Sequence, residues 1–263
     1  MRYPVVTFLL LIATSIGASV LVSCGAAQIS EESMRKSDRF YEAAVIAWTD
    51  KNDNLTAIRH LTRAVEANPE NDDAQYLLGT MRLSRGEYAQ AEEHLLAAVR
   101  YRENNAAQKV EAQNSLAVLY IHTKRYDEAV KLLEEASAEV LNRAPWLAYG
   151  NLGWAYTEMG RYDDAIKVLK RALFDQPQFC VGLYRLGNAF YLKGEYDAAR
   201  ESLSEALAIQ ADGCDRMQEA YHLLGMVYLR LDSSEDAMNA FDTCVQVNPK
   251  SEIGKSCAEI TAE

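Results

Sequence analysis

Small and apolar residues recur along this chain with a period of 34. The stretch 149–177 reads YGNLGWAYTEMGRYDDAIKVLKRALFDQP, and in the same register 34 residues on the chain reads YRLGNAFYLKGEYDAARESLSEALAIQ. The polar letters change between the two phrases, while the small and apolar ones persist. A frame laid from Asp38 gives six units, 38–71, 72–105, 110–143, 146–179, 180–213 and 218–251, separated only by insertions of four, two and four residues. Within a unit, apolar positions recur at helical spacing in two runs with a break between them.

Equivalent positions carry one physical type. Position 20 is Ala57, Ala91, Ala129, Ala165, Ala199 and Ala237. Position 24 is Leu61, Leu95, Leu133, Leu169, Leu203 and Phe241; position 27 is Ala64, Ala98, Ala136, Ala172, Ala206 and Cys244. Position 8 is small at Gly79, Ala117, Gly153, Gly187 and Gly225, with Val45 departing, and position 11 is aromatic except at Arg82. Gly86, Gly160 and Gly194 fall at position 15, where a first helix has to stop. Tyr88, Tyr126, Tyr162 and Tyr196, at position 17, start a second helix with a large ring expected to be buried. Pro69, Pro177 and Pro249 share position 32, where that second helix ends.

At each of these positions the chain resembles the tetratricopeptide repeat, over residues 38–251. The resemblance implies an all-α fold, a right-handed superhelical solenoid of six repeats, each a pair of antiparallel helices. No unit buries its apolar face alone, so stability comes from neighbours. Residues 252–263 place Ile253, Cys257 and Ile260 at helical spacing, as a short helix capping the last repeat would.

The N-terminal segment does not follow the repeat. MRYPVVTFLLLIATSIGASVLVSC carries one Arg, a long uncharged apolar run and small residues at its end, the pattern of an export signal over 1–23. The run is nearly long enough for a transmembrane anchor. The closing Leu21-Val22-Ser23-Cys24 resembles the bacterial lipobox, which favours cleavage before Cys24 and lipidation of it. Several acyl chains on one residue give stable membrane attachment. Gly25 stands where an Asp would imply retention at the inner membrane, so the resemblance implies the outer membrane, with the repeats facing the periplasm. Residues 24–37 lack apolar periodicity and read as the lipidated Cys and a tether, whose 13 residues after Cys24 reach at most about 45 Å.

Composition narrows the partners. A net charge of -11 argues against nucleic acid and against electrostatic docking on anionic lipid. The four cysteines beyond Cys24 lie in the last third of a chain expected in an oxidising compartment. Cys180 opens the fifth repeat and Cys214 begins the insertion before the sixth, at one edge of the stack. Cys244 lies on the last repeat's second helix and Cys257 on the helix that packs against it. The expected bridges are therefore Cys180–Cys214 and Cys244–Cys257, although a free Cys244 would also fill a small buried position. No CxxC or CxxH spacing suggests zinc. No nucleophile motif, phosphate loop or HExxH is present, and His60, His94, His122 and His222 are scattered. Neither enzyme activity, a metal nor a cofactor is expected.

Function must then lie in a groove. In the family the first helices line the concave face, and the corresponding residues here include Tyr76, Val118, Ile121, Trp154, Tyr184, Asn188, Tyr191, Met226 and Leu229. An apolar and aromatic set of this kind marks a partner site. Chaperone-binding relatives clamp a peptide carboxylate with Lys, Arg and Asn. Here that set is reduced to Asn114 and Asn188, with Arg39 and Arg230 near the ends. No such clamp is expected, and an apolar helix or strand of a partner fits better. In repeat count, length and anchor, the chain is similar to the type IV pilus pilotins of the PilF, PilW and Tgl group. That resemblance implies a monomer that binds the pilus secretin subunit and promotes its assembly into an outer-membrane multimer. The alternative is a periplasmic adaptor for cell-wall enzymes or for outer-membrane protein assembly.

Overall fold

The computed structural model describes residues 29–211 and 213–262; the expected export segment and Cys24 lie outside the described residues. Among those described, thirteen α-helices follow one another without a strand. They pair as α1 (Glu31–Thr49) with α2 (Asn54–Ala67), α3 (Asp72–Ser84) with α4 (Tyr88–Tyr101), and α5 (Ala106–His122) with α6 (Tyr126–Ala138). Then come α7 (Pro145–Glu158) with α8 (Tyr162–Asp175), α9 (Cys180–Lys193) with α10 (Tyr196–Ala208), and α11 (Gln218–Arg230) with α12 (Ser234–Val247). A last helix, α13 (Glu252–Thr261), packs on α12 and α11. This is a tetratricopeptide solenoid of six hairpins and a cap.

The repeated small and large residues explain the hairpin. Every side chain at positions 20, 24 and 27 has an exposure of 0%. The small residue at position 8 is required by close approach: a methyl group at Gly153 would lie 2.4 Å from Leu169 Cγ. The turn is equally constrained. Position 15 has positive φ in all six repeats, at Asn52 (50°), Gly86 (74°), Lys124 (61°), Gly160 (74°), Gly194 (88°) and Asp232 (56°). Glycine adopts that region freely; other L-residues do so at a cost.

The departure at position 11 has a physical reason. In the third and fourth repeats an Arg five residues on stacks over the aromatic ring, Arg125 over Tyr120 at 4.0 Å and Arg161 over Tyr156 at 4.3 Å. In the second repeat an ion pair replaces this cation–aromatic pair. Arg82 stands at position 11, and Glu87, at the later position, pairs with it at 2.5 Å.

Two segments differ from the sequence expectation. Residues 31–37 belong to α1 and not to a tether. Ser30 caps the helix by accepting from Ser33 N at 3.1 Å, and fully buried Ser37 donates to Ala64 O at 2.8 Å. Polar side chains thus tie this turn down without an apolar stripe. The insertion 106–109 is helical as well, since Asn105 accepts from Gln108 N at 3.3 Å and starts α5 a turn early. The rings at position 17 open their helices but are only half-buried, and Tyr88 is exposed.

Cys180 is bonded to Cys214 (Cα–Cα 5.8 Å) and Cys244 to Cys257 (Cα–Cα 6.3 Å). The first bridge ties the start of α9 to the loop entering α11; the second ties α12 to α13. Along the stack, successive first helices touch (α3 with α5, α5 with α7, α7 with α9, α9 with α11), whereas successive second helices make no comparable contact. The stack therefore bends toward its first helices, and their free faces form the inner wall.

Candidate partner-binding groove

The wall begins at Tyr76 on α3. Its ring is backed by the Arg102 guanidinium at 4.4 Å, and Arg102 is itself held by Asp72 at 3.0 Å and Asp73 at 2.7 Å. Tyr76, Val110, Asn114, Val118, Leu147 and Asn151 help to line a cavity of about 280 Å³ beside the loop that enters α7. On its wall, Asn114 Oδ1 is buried without a hydrogen-bond partner. That loop also exposes Val140 and Leu141.

From there an aromatic ladder climbs across four repeats. Tyr88 stacks on His122 at 5.8 Å, His122 meets Trp154 edge-on at 5.2 Å, and the Arg185 guanidinium lies over Trp154 at 5.1 Å. Each step shifts about one helical turn from one repeat to the next. The indole Nε1 donates to Glu158 Oε1 at 3.2 Å. Arg185 Nη1 donates to Asn151 Oδ1 at 2.9 Å. Burial pulls the Arg185 guanidinium down to about 10, and Tyr184 beside it holds it up in part. Burial also raises Tyr184, with Glu219 the next contribution.

Beyond Arg185 the wall continues with Tyr184, Asn188 and Tyr191 on α9 and Met226 and Leu229 on α11. Tyr184 and Tyr191 pack partly against the core, Tyr191 lies 5.8 Å from Tyr196, and Leu229 is 43% exposed. Ile121 is the correction: at 3% exposure it is spent between hairpins and offers nothing to a partner. Its neighbour His122 is exposed and takes the place on the wall. Arg185 and Tyr88 join the expected set. Arg185 sits on the first helix α9, whereas Tyr88 opens the second helix α4 and reaches the wall by stacking on His122. The signal available in the sequence was that Arg185 and Asn151 share one register, 34 residues apart.

Aromatic faces, an unfilled cavity and a guanidinium give this wall the means to hold a polypeptide by burial and directed polar bonds. Stacked hairpins presenting such a wall are the architecture of a protein-interaction scaffold. The chain belongs to the tetratricopeptide-repeat family, whose models match residues 49–106, 108–173, 151–214 and 218–251. Among solved structures, it is similar to PilW, a widely conserved type IV pilus biogenesis factor. The TM-score is 0.70 and the identity 20%, covering 84% of this chain and 98% of PilW. It is also similar to PilF of Pseudomonas aeruginosa, with TM-score 0.64 and 18% identity, over 88% of this chain and 100% of PilF. At these identities the likeness is one of fold. Among curated proteins, the BBSome complex member BBS4 of Bos taurus is 29% identical over 75% of this chain. The chain spans only 36% of that relative's length.

Proposed function

We propose that this chain is a lipid-anchored scaffold of the outer membrane that binds the secretin subunit of a type IV pilus machine and promotes its assembly into a multimer. The observation that carries the reading is coverage. PilW and PilF are matched over 98% and 100% of their lengths, so the resemblance extends to the whole solenoid and not to a shared pair of repeats. The groove supplies the binding surface. The anchor would be Cys24, and with α1 starting at Glu31 only residues 25–30 separate the two. Six residues reach at most about 20 Å. The scaffold would therefore work at the membrane surface, where the secretin has to insert.

Deletion of the gene, followed by immunoblotting of the secretin without heat dissociation, tests the proposal. The expected result is loss of the secretin multimer with the monomer retained. An unchanged multimer overturns it.

A further inference from the structure

Arg185 is set apart from the other described arginines. Those without a carboxylate partner are exposed, and those withdrawn from solvent, such as Arg82 and Arg102, are paired with acids. Among the described residues Arg185 is half-buried, and the one hydrogen bond recorded for its guanidinium goes to the neutral Asn151. A withdrawn cation lacking a counter-charge is costly to keep. Yet its bed is well formed. Trp154 lies under the guanidinium, Asn151 fixes Nη1, and Gly150 leaves room, since a methyl group there would stand 3.4 Å from Nη1 and 2.6 Å from Phe179.

We propose that Arg185 seats the carboxylate of an Asp or Glu side chain in the bound segment, set among apolar residues that fill the neighbouring cavity and ladder. The inference rests on the groove being the partner site. A planar guanidinium held on an aromatic face presents its remaining N–H groups as a fork that matches a carboxylate. Restoring the missing counter-charge strengthens binding and selects against a neutral residue.

The position of Arg185 decides which carboxylate. The wall runs on both sides of it, with Tyr76, Val118 and Trp154 toward the first repeats and Tyr191 and Leu229 toward the last. A chain terminus seated at Arg185 would leave one half uncovered, whereas a side chain from a segment running through covers both. An acid-rich tract is disfavoured, because the chain carries a net charge of -11 and Glu158 and Glu219 both act on Tyr184, next to Arg185. One acidic residue flanked by apolar ones satisfies both constraints.

The test is selection of a random decapeptide display library on the purified full-length chain, repeated on Arg185→Gln and on the double variant Trp154→Asp/Tyr191→Asp. Far-UV circular dichroism confirms that each variant remains helical, and Arg185→Lys serves as a charge-retaining control. The expected outcome is enrichment of peptides with one Asp or Glu among apolar residues. The acid preference disappears in Arg185→Gln while the apolar preference remains. Changing Glu to Gln in a selected peptide should weaken binding about tenfold or more. Enrichment indifferent to charge, or an acid preference unchanged in Arg185→Gln, overturns the inference and leaves the groove reading standing. Enrichment unaffected by the double variant, or none at all, overturns both.

Discussion

Six residues in the left-handed region close the first helix of every hairpin, and three of them, Asn52, Lys124 and Asp232, carry a side chain. Lys124 is exposed and has no recorded side-chain hydrogen bond or ion pair to compensate, so its backbone strain is uncovered. Lys124→Gly should stabilise the protein by about 1 kcal/mol, read as a higher urea midpoint at unchanged slope. Lys124→Ala should give no such gain; equal gains from both would remove strain as the cause. At this scale the sequence was legible wherever a position tolerates one kind of residue. Gly153 above Leu169 is such a place, because a single methyl group is excluded. It was less legible where a residue acts through its surroundings. Ile121 and His122 are adjacent on one helix, and only the packing of the next hairpin decides which is covered. Arg185 is an ordinary surface letter until Asn151 and Trp154 are placed around it.

Helix starts and stops follow the same division. The prolines end α2, α8 and α12 where their fixed position required, two residues past the last helical one. Residues 31–37 were missed because a cap and a buried serine hydroxyl, not an apolar stripe, hold that turn. The least supported element is α13, which has a neighbour on one side only and is tied by Cys244–Cys257 across 13 residues. A loop of that length is worth about 3 kcal/mol. Because contacts in a solenoid are between neighbours, loss of the bridge should act locally. In Cys244→Ala/Cys257→Ala, amide exchange should accelerate in α13 and stay slow in α5 to α8. Alanine fits at position 27, as five other repeats show. Unchanged exchange in α13 would mean that packing alone holds the cap.

Curvature of the whole molecule comes from unequal contact. First helices meet their counterparts in the next hairpin and second helices do not, so the free faces of the first helices gather on the inner side. What gathers there is an aromatic ladder, a cavity of about 280 Å³ and a half-buried guanidinium, Arg185, whose recorded partner is the neutral Asn151. The period of 34 made the solenoid readable, and the inner wall was readable in outline because tetratricopeptide hairpins fix which helix faces in. The cavity was not, since the loop that helps to close it departs from the repeat. The central claim is that this wall holds the partner polypeptide. It is tested most directly by co-purification of the secretin with Trp154→Asp/Tyr191→Asp from solubilised membranes, beside the unaltered chain. The account predicts a variant of unchanged helicity that reaches the membrane and brings down no secretin; secretin recovered in equal amount would contradict it.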